Sequence, residues 1–598
     1  MKHPRAHALG DFTTDWQLIP ISLLAIVIGL LSTGVAWALL RLIGLFTNLF
    51  YYQRWDFRLV SPAGTPLGAW AILVPVAGSL VIGLMARYGS ERIRGHGIPE
   101  AIESILINGS RVQPRLAFLK PLSSAISIGS GGPFGAEGPI IMTGGAFGSM
   151  IAQFFHLTSA ERKTLLVAGA AAGMSATFAS PIAAVLLAVE LLLFEWKPRS
   201  LVPVALASAT AGAARRYILG LGPLFPVPPH PVFIGPQGLL GCVICGLLAG
   251  VLSMLLTGAV YASEDAFAKL PIHWMWWPAI GGLVVGLGGF VFPQALGVGY
   301  DTIGALLQGH VAMGAIAGIL LVKSVIWAVS LGSGTSGGVL APLLMMGGAL
   351  GGIEAMFLPN EGLGFWPLVS MGAILGGTMR SPLTGIIFAL ELTHDVNMLM
   401  PLLAASVIAH AFTVLALKRS ILTEKVARRG FHLSREYAVD PLEILFVRDA
   451  MRTNLAAFKS DSTLDEVRAT LNGHHGQRGQ FLYPVIDENN QLHGVITRRH
   501  LQRILADSDP PSRTLADLAI DPVVAYPDEP LRVVVYRMAE LGLTRFPVVE
   551  RGDRRKLVGM IGLRDLLAAR TRNLEEERSR ERVLKVRLPM LRRDRSTA

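Results

Sequence analysis

The chain has 598 residues, of which 52% are hydrophobic and 16% charged, and its formal net charge is +11. A soluble protein carries roughly 25% charged residues, so this composition excludes a wholly soluble chain. It also excludes one embedded in a membrane throughout, because charges are sparse from Trp16 to about Leu417 and dense from Lys418 onward.

Residues 1–15 form a short lead. Leu18–Leu40 is the first apolar run to reach the ~20 residues that a helix needs to cross a bilayer. It is too long for a Sec-type signal peptide and lacks a small-residue cleavage site, so it is expected to persist as a membrane helix. Trp70–Met85, Phe233–Leu256, Trp274–Phe292, Val311–Leu331 and Met398–Leu417 approach or exceed the same length. Shorter runs, broken by Gly and Pro, lie between them: Ile140–Phe155, Leu165–Phe178, Ile182–Phe194, Leu340–Phe357 and Leu383–Leu392. Basic residues flanking such segments mark the cytoplasmic side. The expectation is a multi-pass protein of the cell membrane with its N-terminus and C-terminal region in the cytoplasm. Cys242 and Cys245 have CxxC spacing but sit inside an apolar run with no partner pair, which predicts two buried thiols rather than a redox or metal site.

The membrane region repeats itself. Gly129–Gly148 and Gly332–Gly351 align with half of their positions identical, Ser180–Leu191 recurs as Ser381–Leu392, and Lys120 matches Lys323. Two halves, residues 16–220 and 230–425, therefore share one pattern. Internal repeats in membrane proteins meet at a binding site near the bilayer midplane, built from broken helices. Glycine also permits close helix packing, which accounts for Gly169–Gly173. It does not account for three Gly-x-x-x-Pro elements.

Those elements are Gly95-His96-Gly97-Ile98-Pro99, Gly135-Ala136-Glu137-Gly138-Pro139 and Gly338-Val339-Leu340-Ala341-Pro342. Proline suits the first turn of a helix, where its missing N–H would lack a partner anyway, and glycine lets the backbone approach a ligand closely. Helix starts present free amides and partial positive charge, so they favour anions. Three aimed at one point would bind a dehydrated anion without the full charge that traps it. Glu137 is costly in such a setting. It can accept the amide bonds that an anion would accept, and so compete with it as a gate. Its repeat partner, Leu340, shows that the backbone motif does not require a carboxylate. The plain alternative is a carboxylate capping its own helix.

Together these elements resemble the CLC family of chloride channels and chloride/proton antiporters, whose pathway motifs read GSGIP, G(K/R)EGP and GxFxP. The resemblance implies an all-α membrane domain of inverted repeats over residues 16–425, a homodimer with one pathway per subunit, and a gating role for Glu137. It also marks departures. His96 stands where a serine helps bind the central chloride, and Leu422 (or Ile421, one residue away) where a tyrosine does. Ala136 replaces a basic residue, and Leu340 a phenylalanine. Whether His96 faces the pathway or turns into the interior is open at this stage. If it faces the pathway, an acid-sensitive conductance follows. Antiporters of the family carry a proton-transfer glutamate directly after another glutamate. Here Glu190 matches the first and Leu191 the second, which favours passive conduction. Proton-coupled exchange by another route, for instance through Glu195, is the alternative.

Beyond a linker at 426–445, residues 446–507 and 512–570 each read helix, strand, helix, strand, strand, helix, and the pair resembles tandem CBS domains. The resemblance implies an adenosine nucleotide in the cleft, held by a Ser/Thr and an Asp three residues later. That signature is split here: Thr497 is followed by His500, and Asp565 is preceded by Gly562. A structural brace is the other reading. The basic tail, 571–598, is interrupted by Glu575–Glu577 and Glu581, and reads as solvated rather than nucleic-acid-binding. No nucleophile triad, metal-ligand cluster or Walker lysine points to an enzyme. A CBS-bearing cation transporter or a membrane sensor would explain the tail, but neither explains amide-rich helix starts facing a carboxylate.

Overall fold

The computed structural model describes residues 12, 14, 16–106, 110–429, 442, 445–472, 480–506 and 514–578. Most of the expected N-terminal lead (1–15), linker (426–445) and tail (571–598) lies outside the described residues. Two compact units divide the chain, Phe12–Arg435 and a second within Glu436–Ala598.

The first half of the membrane unit runs α1 (Leu18–Tyr52), α2 (Leu73–Tyr88), α3 (Ile98–Leu106), α4 (Pro114–Gly129), α5 (Glu137–Gln153), α6 (Ser159–Phe178), α7 (Pro181–Leu187) and α8 (Pro198–Ile218). The second half answers element for element: α9 (Pro236–Ala268), α10 (Trp277–Val291), α11 (Tyr300–Leu307), α12 (Met313–Gly332), α13 (Leu340–Glu354), α14 (Phe365–Met379), α15 (Pro382–Thr393) and α16 (Leu399–Ala416). A final helix, α17 (Ile421–Arg428), follows. Among the described residues, six helices are long and apolar enough to cross a membrane, and the six long apolar runs fall on them. Six helices, α3, α4, α8, α11, α14 and α17, lie outside the apolar runs marked in the sequence. Ser, Thr and Arg dilute α8, and glycine and threonine interrupt α14.

Glycine fixes the packing of the central pairs. A Cβ on Gly144 would lie 2.2 Å from the Gly169 carbonyl, and one on Gly148 would lie 2.2 Å from that of Leu165. These contacts bring α5 and α6 to backbone contact. The repeat does the same with α13 and α14, where a Cβ on Gly351 would lie 2.2 Å from the Trp366 carbonyl. Cys242 and Cys245 are buried free thiols in α9.

The halves also lock through reciprocal caps. The Glu190 carboxylate accepts the amides of Leu383 (3.3 Å) and Thr384 (2.9 Å) at the start of α15. Its repeat mate, Glu391, accepts those of Ile182 (2.9 Å) and Ala183 (2.8 Å) at the start of α7. Each carboxylate therefore satisfies orphan donors of the other half.

In the second unit, β1 (Phe458–Lys459) pairs parallel with β2 (Leu482–Ile486), which pairs antiparallel with β3 (Leu492–Thr497). The other repeat keeps only the antiparallel pair β4 (Arg545–Val549) and β5 (Leu557–Gly562). Its first strand is reduced to a single parallel bridge, Ala525 to Val548.

Candidate anion pathway

The three glycine elements meet. Gly135 and Gly338 form an antiparallel bridge, Gly135 N to Gly338 O at 3.3 Å and Gly338 N to Gly135 O at 3.0 Å. Gly95 bridges Ser336, and its amide donates to the Thr335 carbonyl at 2.9 Å. A Cβ on Gly138 would lie 1.9 Å from the His96 carbonyl, and one on Gly97 would lie 2.4 Å from that of Gly138. Only glycine permits three backbones to converge this closely. The starts of α3, α5 and α13 are thus brought to one junction.

Some expected amide ligands are spent on building the junction itself. Those of Gly95, Gly135 and Gly338 close the bridges just described. That of Gly97 donates to Glu100 Oε2 at 2.8 Å, and Pro99, Pro139 and Pro342 have none. The amides of Ile98, Glu137, Gly138 and Leu340 stand in first turns of α3, α5 and α13, where no intrahelical acceptor exists. Ala136 and Val339 precede those turns as buried N-cap residues.

Glu137 is fully buried, and its Oε1 accepts the Ala341 amide of the opposite half at 2.8 Å. The carboxylate therefore caps α13 rather than only its own helix. Its Oε2 has no hydrogen-bond partner. A Cβ on Gly135 would lie 1.9 Å from Oε2, so the side chain folds back over that glycine.

Two buried lysines clamp the flanking loops. Lys120 Nζ donates to the carbonyls of Ile93 (2.8 Å) and Gly95 (2.7 Å), and Lys323 Nζ to those of Ala295 (2.9 Å) and Gly297 (2.9 Å). Losing a buried partner costs about 1–3 kcal/mol per orphaned group, partly offset by relief of the ammonium's desolvation. Lys323→Met is therefore expected to destabilise the membrane unit by about 1–3 kcal/mol, read as a lower Tm in detergent. An unchanged Tm would show that the clamp carries no stability.

His96 lines a cavity of about 380 Å³ together with Arg94, Gly95, Tyr261, Gly334, Lys425 and others. The residue is 3% exposed, and Nδ1 has no hydrogen-bond partner among the described residues. Leu422 and Ile421 are buried in the first turn of α17, and the Tyr261 hydroxyl donates to the Ile421 carbonyl at 2.5 Å. A second cavity, of about 210 Å³, is lined by Thr47 near the end of α1 and by Gly297, Gly299, Tyr300 and Asp301. It lies on the opposite side, because α2 returns from the end of α1 to the residues that line the His96 cavity.

Sequence reasoning missed the Glu100–Lys425 ion pair (2.9 Å) beside Gly95, and the turn Gly297-Val298-Gly299. The turn had a signal. The repeat offset that aligns Lys120 with Lys323 also sets Gly297 and Gly299 against Gly95 and Gly97 to within one residue, and all four glycines have positive φ. Leu191 is fully buried in a π-helical turn, Ala188–Leu193. Glu195 is held by Lys163 (3.0 Å), Lys197 (3.6 Å), Arg199 (3.7 Å) and the Ser200 hydroxyl (2.7 Å).

In the second unit, Thr497 Oγ1 accepts the His500 amide at 3.2 Å as a helix cap. Asp565 pairs with Arg452 (2.6 Å) and accepts the Gly562 amide (2.9 Å). The cleft beside Asp565 holds about 70 Å³ and does not include Thr497.

Paired inverted halves, helix starts aimed at one junction and a carboxylate across it define a membrane anion transporter. The voltage gated chloride channel profile matches residues 77–414 and the CBS domain profile matches 447–507 and 515–572, and the chain belongs to this CLC family. It is 31% identical to a ClcB-like protein of Ralstonia nicotianae, over 56% of this chain and 81% of that one. It is 28% identical to the H(+)/Cl(-) exchange transporter ClcA of Yersinia pseudotuberculosis, over 71% and 91%. With the chloride channel protein CLC-f of Arabidopsis thaliana it shares 25% identity, over 82% and 72%. The same fold occurs in a slow cyanobacterial Cl−/H+ antiporter (TM-score 0.61, 21% identity, 68% of this chain and 97% of that one). It occurs also in a eukaryotic CLC transporter (TM-score 0.57, 19%, 92% and 98%).

Proposed function

We propose that this chain is a passive chloride conductor gated by Glu137, acting as a homodimer in the cell membrane with its termini in the cytoplasm. The carrying observation is Leu191. It is an apolar, fully buried residue, and the preceding Glu190 caps the start of α15. Leucine cannot relay a proton, and Glu195 is tied to three cations.

The names of the ClcA relatives favour a second reading, proton-coupled exchange. Proteoliposome efflux recorded simultaneously for chloride and external pH separates the two. Chloride release without stoichiometric proton movement supports conduction, and coupled movement sinks it in favour of exchange.

The dimer reading rests on the face shared by α7 and α15. Ile182 and Leu383 are 60% and 49% exposed there, beside the partly exposed carboxylates Glu190 and Glu391. Carboxylates facing lipid are costly, and a second copy would cover them.

His96 is read as a pathway residue that tunes the central site. In a Glu137→Ala background, His96→Ser is expected to remove a several-fold slowing of chloride efflux in acid, where a protonated ring holds the anion more tightly. Efflux with the same pH dependence in both chains would exclude the role.

For the CBS pair we favour a brace over a nucleotide site, because a bound ribose would have to displace Arg452 from Asp565. Calorimetry of the full chain with ATP, AMP and adenosine should be silent. Saturable heat with any of them would restore the nucleotide.

A further inference from the structure

Besides His96 Nδ1, the buried polar atoms without a hydrogen-bond partner among the described residues include Glu137 Oε2 and the Tyr300 hydroxyl. A buried polar group left without a partner costs free energy, so a rearrangement that pairs it is favoured. Tyr300 opens α11, directly after the turn whose Gly297 and Gly299 have φ of 62° and 74°. Lys323 holds the carbonyls of that turn. A Cβ on Gly299 would lie 1.9 Å from the Met345 methyl. The start of α11 therefore lies against α13 one turn beyond Ala341, the residue that holds Glu137. The Tyr300 ring is set edge-on to Phe178 (6.2 Å) and Phe225 (6.0 Å), which fixes its direction. Tyr300 also borders the cavity opposite to that of His96.

We infer that the Tyr300 hydroxyl is the docking partner of the Glu137 side chain when it leaves the Ala341 amide. A charged carboxylate would accept the tyrosine O–H, and a protonated one could donate to the tyrosine oxygen. Either protonation state thus gains a bond outside the anion site, and the vacated amides are left to the anion. The corresponding residue of the first half is Ile98, so the repeat backbone does not require a hydroxyl here. Tyr300 is in this sense a positioning residue that acts through Glu137. The inference rests on the reading of Glu137 as the gate.

The test is a double-mutant cycle on chloride efflux from proteoliposomes at fixed pH. Tyr300→Phe keeps the ring and deletes the hydroxyl, and is expected to slow efflux about tenfold, or ~1.4 kcal/mol. In a Glu137→Ala background the same substitution is expected to change nothing. That double variant also reports that the phenylalanine chain folds and conducts. Equal slowing in both backgrounds would make Tyr300 an anion ligand or a packing residue and overturn the inference, as would no slowing in either. If the unmodified chain moves no anion, the gate reading fails first and carries this one with it.

Discussion

Gly138→Ala is expected to abolish anion flux, by about 100-fold or more, in a chain that still inserts and folds. A Cβ at this position would sit 1.9 Å from the His96 carbonyl and 3.0 Å from the Gly338 Cα. Both obstacles are backbone, so no rotamer change relieves them. The loops must separate, at a cost of about 1–3 kcal/mol for an overpacked site, which a large buried membrane unit can absorb. Separation moves the first-turn amides of α3, α5 and α13 off their common point. A misplacement of about 1 Å costs roughly 100-fold where function depends on convergent geometry. Gly34→Ala is the control, because nothing lies within 4 Å of its added methyl. Proteoliposome efflux of both variants checks the claim, and normal flux in Gly138→Ala would mean that the junction does not lie on the pathway.

Glu137→Ala is expected to raise flux at neutral pH about tenfold or more and to flatten its pH dependence. The carboxylate holds its place through the Ala341 amide at 2.8 Å, and a hydrogen bond to a charged group contributes about 1.5–3 kcal/mol. At ~1.4 kcal/mol per tenfold, that latch keeps the site closed most of the time. The sign follows from charge. Acid neutralises the carboxylate and weakens its hold, so flux through the unmodified chain rises as pH falls. Without the carboxylate that rise should vanish, leaving only the opposite and smaller effect assigned to His96. A Glu137→Ala chain that still opens steeply in acid would place the gate elsewhere.

The parts of this site that could be read from sequence are those that local backbone chemistry dictates. A glycine turn followed by proline at a helix start says the same thing wherever it occurs, and three copies with a repeat identify the junction. What the junction does with its own amides was not readable. Gly97 gives its N–H to Glu100 because Lys425, over 320 residues away, holds that carboxylate in place. Such a pairing leaves no trace in spacing. Leu191 was informative by itself, but the caps made by Glu190 and Glu391 needed the antiparallel packing of α7 on α15. Tyr300 was passed over because an aromatic residue at a helix start reads as packing until its hydroxyl is found buried and bare. In the CBS pair, strand order followed the alternating pattern. The pairing of Arg452 with Asp565, which spans both repeats, did not.

On this reading of the gate, an anion and the Glu137 carboxylate compete for the same first-turn amides of α13. Bromide anomalous scattering from crystals of the unmodified and Glu137→Ala chains tests it most directly. A bromide is expected at hydrogen-bonding distance from the Leu340 and Ala341 amides in the variant, with that position held by the carboxylate in the unmodified chain. Bromide beside an unmoved carboxylate, or none at those amides in the variant, would contradict it.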